Sequence, residues 1–311
     1  MDLIVVFPGQ GSQKVGMARD LADAFPAARA VLDTVDAALG APLTPLMFEG
    51  PAEELTLTHN AQPALLAHSA AVWSVIADRV GPYVRASAGH SLGEFSAYMA
   101  AGAISPADAA RLVRRRGELM FAAGEARPGA MAAILGTLHE PIESICAAAS
   151  SAGAVVPANY NNDEQIVVSG EVAGVERAME LAKAAGAKRA VRLPVSGAFH
   201  SPLMAPAATG LATALATVAW QPALFPVYAN VDAQPMQEPD GARQLLVQQL
   251  TAPVRWTSVV RALAEAHPGA VFVEVGTGNV LCGLIKRIVP GVEAIPCGTV
   301  AEVTSLLERV G

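Results

Sequence analysis

The segment AGHSLGEFSA, residues 88–97, sets Ser91 between Gly89 and Gly93 in the spacing G-x-S-x-G. A strand, a sharp turn and a helix built around such a serine hold its hydroxyl exposed, with glycines where side chains would crowd the turn. The helix that follows would aim backbone N–H groups and the positive end of its dipole at whatever the hydroxyl attacks. That chemistry is acyl transfer through an ester on Ser91. The other reading of the motif alone is a serine that caps a helix in an ordinary turn.

A serine nucleophile needs a base. His59, His139 and His267 fall near predicted turns and His68 falls in an alanine-rich helical stretch, so each reads as structural or solvent-facing. His90 belongs to the Ser91 turn itself. His200 has a different setting, VSGAFHSPLM, in which Ser201 can cap a helix and Pro202 suits its first turn. A histidine in the loop just before a helix is a plausible base, the alternative being a loop histidine without a role. No acid stands out to complete a triad. Asp232 and Asp240 read as surface groups of a proline-rich loop, and a backbone carbonyl can orient the second ring nitrogen instead.

The third residue of interest is Arg116, in ARLVRRRGELM. At about 100° per residue, Leu112, Val113, Leu119 and Met120 form one apolar helix face with Arg116 in its middle, while Arg114 and Arg115 point elsewhere. A guanidinium on a buried face is costly unless it is paired. It is therefore either half of an internal salt bridge or a fork for a substrate carboxylate.

These residues must be positioned by an α/β fold, because strand and helix patterns alternate along the chain. LIVVF (3–7) and AVFVEV (270–275) read as buried strands followed by glycine-rich turns, and VRASAGH (84–90) as a more weakly patterned strand leading into Ser91. After Gly124 the pattern changes. AMAAIL (130–135), a helical stretch near 140–152, AVVPAN (154–159), QIVVSG (165–170), a helical stretch at 171–185 and KRAVRLPV (188–195) spell β-α-β-β-α-β, the ferredoxin-like order. A small inserted domain is expected at 126–196, with the larger domain assembled from 1–125 and 197–311.

Composition limits the function classes. A chain of 311 residues, 52% hydrophobic and 16% charged, can bury a large core. Its net charge of -7 argues against a general nucleic-acid binder. Met1 and Asp2 run into LIVVF without a basic n-region, and the apolar runs fall short of a bilayer span, so a soluble cytoplasmic protein is expected. Cys146, Cys282 and Cys297 are scattered and odd in number, which predicts reduced, buried residues rather than disulfides or a metal site.

FPGQGSQ (7–13), GHSLGE (89–94), RRRGELM (114–120), GAFHSPLM (197–204) and QQLTAPVRW (248–256) together resemble the bacterial malonyl-CoA:acyl carrier protein transacylases, in that family's order. The resemblance runs from Phe7 to EVGTGNVLCGLIKRI, where Thr277 stands in a turn position that often holds proline in the family. It implies an α/β-hydrolase-like large domain with a ferredoxin-like insert. It also implies Ser91 as nucleophile, His200 as base, Arg116 as ligand of the malonyl carboxylate, and Gln10 and Leu92 as sources of oxyanion-hole N–H groups. Gln249 would offer its backbone carbonyl to His200, and Phe199 would narrow the pocket toward malonyl.

The implied reaction moves malonyl from malonyl-CoA to Ser91 and then to the phosphopantetheine thiol of an acyl carrier protein, without a metal or redox cofactor. A monomer is expected, with no membrane or nucleic-acid partner. Because carrier proteins are acidic, docking needs a local basic patch, for which Lys188, Arg189, Lys286 and Arg287 are the candidates; otherwise these are solvated surface charges. Two competing functions share the chemistry. One is an esterase or thioesterase with water as acceptor, for which a buried cation in the acyl pocket has no use. The other is the same transfer serving a polyketide synthase in trans or a malonate decarboxylase system.

Overall fold

The computed structural model describes residues 1–195 and 197–310. Ser196, where the insert was expected to end, and Gly311, the last residue of the second flank, lie outside the described residues. In chain order the strands are β1 (Leu3–Phe7), β2 (Val84–Gly89), β3 (Ala130–Leu135), β4 (Val155–Asn162), β5 (Gln165–Gly170), β6 (Arg189–Arg192), β7 (Val227–Tyr228), β8 (Pro235–Met236), β9 (Val271–Val275) and β10 (Ala294–Cys297). They form a six-stranded sheet in the order β10-β9-β1-β2-β7-β8 and a four-stranded sheet in the order β4-β5-β3-β6. The fold is mixed α/β with two sheets.

In the larger sheet, β1 pairs in parallel with both β2 and β9. Its residues are buried on both faces, as a central parallel strand must be. Leu3, Val5 and Phe7 enter one apolar core, and Ile4 and Val6 enter a second one on the opposite face. The register sets Phe7 beside Gly89, so the turns after β1 and β2 leave the same edge of the sheet together. Two glycines let them approach. A Cβ on Gly89 would lie 1.9 Å from the Gly93 carbonyl carbon, and one on Gly93 would lie 2.1 Å from the Phe7 oxygen. Any side chain at either position would force the turn apart.

The smaller sheet is antiparallel throughout and follows the β-α-β-β-α-β order expected for 130–195, with helices Ile142–Ala149 and Val172–Ala184 between its strands. Period-2 alternation divides β3. Ala130, Ala132 and Ile134 pack with the two helices, whereas Met131 and Ala133 face the core of the larger sheet's side. The helix Pro106–Ala126, capped by Ser105 through the Asp108 N–H at 3.1 Å, buries Leu112, Val113, Arg116 and Met120 along one stripe. Leu119 is only partly buried beside them.

One local expectation holds and one changes. His59 lies near a turn as expected, in the first turn of the helix Thr58–Val80 and two residues after the bend at Leu57. Asp240 is in the first turn of the helix Pro239–Gln248 rather than in a loop, Pro239 serving as an N-terminal helix residue. Cys146, Cys282 and Cys297 are buried free thiols. No helix among the described residues is long and apolar enough to cross a membrane.

Candidate active site

Ser91 follows β2 with φ +53°, and His200 also has a positive φ, +56°. Left-handed backbone at a non-glycine residue costs about 1–3 kcal/mol; among the described residues it occurs at Ala18, at Ala233 and at these two, whose side chains meet. Ser91 Oγ lies 2.7 Å from His200 Nε2, and His200 Nδ1 lies 2.8 Å from the Gln249 main-chain oxygen. A carbonyl can only accept, so Nδ1 carries the proton and Nε2 is left to accept the Ser91 hydroxyl proton. The base is oriented without an acid. The serine turn is itself held by Asn230, whose Oδ1 accepts the Ser91 N–H at 2.7 Å while its Nδ2 donates to Gly89 O at 2.7 Å. The His200 turn is held by Ser201, whose hydroxyl donates to Ala198 O at 2.7 Å and accepts the Leu203 N–H at 3.3 Å.

Arg116 is 1% exposed and reaches the same point. It donates to Gln62 Oε1 at 2.7 Å, to Gln249 Oε1 at 2.9 Å and to Ser91 Oγ at 3.1 Å, and its guanidinium carbon sits 5.7 Å from the Phe95 ring centroid. These partners are all neutral, so the salt-bridge alternative does not describe this arginine. Its Nε is buried without a hydrogen-bond partner among the described residues. Burial pushes its pKa down to about 10, opposed by the nearby Glu94. It remains a cation at neutral pH, and a desolvated cation beside a serine oxygen stabilises negative charge there.

Glu94 is the residue that sequence reasoning missed. It is fully buried, and its Oε2 accepts the Asn230 N–H at 3.0 Å and Gln249 Nε2 at 2.7 Å. Burial raises its carboxyl to about 7, opposed by those two hydrogen bonds and by Arg116. Asn230 was missed as well. Its local signal is an asparagine in a turn, which is common in surface loops.

These groups open on a cavity of about 460 Å³ between the two sheets, lined by Gln10, Ser91, Leu92, Arg116, Phe199 and His200 from one side. Met131, Ala133, Asn159, Asn161, Gln165 and Val167 line it from the smaller sheet. The Gln10 side chain accepts from Thr58 Oγ1 at 2.9 Å. The main-chain N–H groups of Gln10 and Leu92 donate to no backbone carbonyl among the described residues. His90 also lines the cavity, its Nε2 donating to Asn161 Oδ1 at 2.8 Å. A larger cavity of about 670 Å³, beside His68, Thr277 and Asn279, shows no hydroxyl hydrogen-bonded to a histidine among the described residues, so the chemistry favours the smaller one. Thr277 is buried in the turn after β9. Lys188, Arg189, Lys286 and Arg287 are exposed and stand outside the cavity lining. Asp232 is exposed, and neither it nor Asp240 touches His200.

Burial, and after it the Arg116 charge, push His200 down to about 3, with its bond to Gln249 O acting the other way. A base held neutral in this way stays competent far below the ordinary histidine range. The pH profile of kcat/KM for the first half-reaction should therefore lack an inflection near 6.5 from His200, whose acid limb lies near its lowered pKa of about 3. Stopped-flow acylation between pH 4.5 and 8 reads this directly, and an inflection at about 6.5 that persists in Glu94→Gln, where the carboxyl near 7 is gone, would contradict it.

Residues 4–302 match the family model described as "Acyl transferase domain". The chain is 47% identical over 284 residues to the "Malonyl CoA-acyl carrier protein transacylase" of Bacillus subtilis (strain 168), covering 91% of this chain and 89% of that protein. It is 44% identical over 303 residues to the protein of that name from Escherichia coli (strain K12), covering 97% and 98%. Among solved structures, the acyl-carrier-protein-S-malonyltransferase of Bartonella henselae superposes with a TM-score of 0.95 at 45% identity, covering 100% of both chains. A malonyl-transacylase in complex with a holo type II PKS acyl-carrier protein superposes at 0.94 with 43% identity, covering 99% of this chain and 100% of that one. With the motifs, the Ser91–His200 pair and these likenesses pointing the same way, the chain belongs to the acyl transferase domain family, as one of its malonyl-CoA:acyl carrier protein transacylases.

Proposed function

We propose that this enzyme carries malonyl from malonyl-CoA to the phosphopantetheine thiol of an acyl carrier protein, as in fatty acid synthesis, through an ester on Ser91. The observation that carries this reading is Arg116, a buried cation with only neutral partners, 3.1 Å from Ser91 Oγ. A hydrolase of simple acyl groups gains nothing from such a cation, whereas a carboxylate-bearing acyl group pairs with it by charge-assisted hydrogen bonds.

In the first step Ser91 Oγ attacks the thioester carbonyl while His200 Nε2 takes its proton. The Leu92 and Gln10 N–H groups receive the oxyanion, and His200 returns the proton to the leaving CoA sulfur. In the second step the pantetheine thiol gives its proton to His200 and its sulfur attacks the malonyl-serine carbonyl; the Ser91 C–O bond breaks, and His200 Nε2, 2.7 Å away, returns the proton to the leaving Ser91 oxygen. An ester and a thioester are exchanged, so the reaction is redox-neutral and needs no redox cofactor, while His200 and the two N–H groups supply the proton transfer and oxyanion stabilisation for which a metal would otherwise serve. Phe199, at the cavity wall, limits branching on the acyl group.

The two-sheet architecture supports an α/β-hydrolase-like large domain, 1–125 with 197–311, and a ferredoxin-like small domain, 126–196, with the cavity between them. We assign the enzyme to the cytoplasm as a monomer, where its two soluble substrates meet. The likeness to a polyketide-synthase pair favours a second reading, in which the carrier belongs to that system.

Mixing the enzyme with radiolabelled malonyl-CoA and each class of holo carrier protein tests both readings. Label should pass to a carrier and not to free malonate; release as malonate would make the protein a hydrolase. Reversing the charge at Lys188 and Arg189 should slow transfer to the carrier more than acylation by malonyl-CoA. Equal slowing of both steps would remove those residues from docking.

A further inference from the structure

Gln249 touches both halves of the site. Its main-chain oxygen accepts from His200 Nδ1 at 2.8 Å, and its side-chain Oε1 accepts from Arg116 at 2.9 Å. Its Nε2 donates to Ser91 O at 3.0 Å and to Glu94 Oε2 at 2.7 Å. A side-chain amide can turn over by 180° at little intrinsic cost, and its neighbours decide which end faces which. Were it reversed here, Gln249 Oε1 would face a carboxylate oxygen and Nε2 would face a guanidinium, acceptor against acceptor and donor against donor. The Glu94 oxygen and the Arg116 guanidinium together forbid that arrangement. The same oxygen accepts the Asn230 N–H at 3.0 Å, and Asn230 Oδ1 holds the Ser91 N–H at 2.7 Å.

We propose that Glu94 is a positioning residue for the acyl transfer: its Oε2 fixes the Gln249 amide and the Asn230 turn, and so holds Arg116, His200 and Ser91 in one register. Glu94 does not line the cavity, so it acts through these residues rather than on the substrate. What the role requires is an acceptor oxygen at full glutamate reach. A negative charge is not required, because a neutral amide oxygen accepts the same two N–H groups. The inference rests on the acyl-transfer reading above.

Three variants separate reach from charge. Glu94→Gln keeps the oxygen at full length without the charge. Glu94→Asp keeps the charge but withdraws the acceptor by about 1.5 Å, one C–C bond. Glu94→Met fills similar volume with no oxygen. For each, intact-mass titration with malonyl-CoA gives the fraction of competent sites, and single-turnover acylation gives the rate per competent site with malonyl-CoA and with acetyl-CoA.

Glu94→Gln should stay within about threefold of the wild-type rate, while Glu94→Asp and Glu94→Met should lose about tenfold or more per competent site. Both losses should come with a reduced malonyl-to-acetyl preference, because Arg116 loses its fixed partner. A merely structural role would lower the competent fraction and leave rate and preference untouched. Wild-type values per competent site in Glu94→Asp or Glu94→Met overturn the proposal, as does a Glu94→Gln loss matching that of Glu94→Asp. If Glu94→Met does not fold, the Gln and Asp variants decide between them. Absence of a Ser91 adduct in the wild type would instead overturn the acyl-transfer reading.

Discussion

Ser91→Ala will lose the malonyl adduct altogether and slow transfer by roughly 10⁴-fold or more, the scale on which nucleophile removal acts when nucleophile and base work as a unit. No thiol lines the cavity, and burial pushes Cys146, Cys282 and Cys297 up to about 12, so cysteine is a poor substitute. The turn should survive the change. Asn230 grips the Ser91 main-chain N–H at 2.7 Å, and that bond remains with alanine. Alanine meets the same positive φ as serine, so the mutant melting temperature should move little. Intact-mass spectrometry after mixing with malonyl-CoA checks the chemistry: a mass gain that persists in Ser91→Ala places the nucleophile elsewhere.

The residues named from sequence and those found only in the structure differ in how far apart their signals lie. Leu3–Phe7 and Val271–Val275 are short apolar runs between turns, and a buried parallel strand has that local signature. The 130–195 segment is legible for the same reason, since each of its elements is written in its own residues. Ser91 carries its glycines beside it, and His200 carries its helix cap. Arg116 is visible because a charge interrupts an apolar stripe, although the pattern left its partner open. The structure supplies Gln62 and Gln249, 54 and 133 residues away in sequence, which no local periodicity encodes.

Glu94 is the clearest failure of local reading. An acidic residue in the first turn of a helix ordinarily faces solvent and favours the dipole. The helix Gly93–Ala100 is buried on every side, so this carboxylate becomes an internal acceptor instead. The two-residue strands β7 and β8 are likewise too short to leave a pattern, although β7 leads directly to Asn230.

Arg116→Ala should depress malonyl transfer by about 100-fold or more, equivalent to roughly 3 kcal/mol, and raise the relative use of acetyl-CoA. The guanidinium is desolvated, and its Nε has no partner among the described residues. A carboxylate arriving beside it gains charge-assisted hydrogen bonds, whereas an acetyl group leaves the cation no better paired than before. Discrimination of this kind exceeds what a pocket obtains from one methylene.

Truncation does carry a structural cost. Gln62 Oε1 and Gln249 Oε1 lose their donor, each leaving a buried acceptor worth about 1–3 kcal/mol if no water replaces it. A melting curve must therefore accompany the kinetics. Removing the cation also relieves the charge that holds His200 down, so the mutant's acid limb should move upward in pH. Side-by-side rates for malonyl-CoA and acetyl-CoA decide the matter. An unchanged malonyl-to-acetyl ratio in a folded Arg116→Ala protein would make Arg116 a partner of Gln62 and Gln249 alone, and would move selectivity to the cavity wall around Phe199.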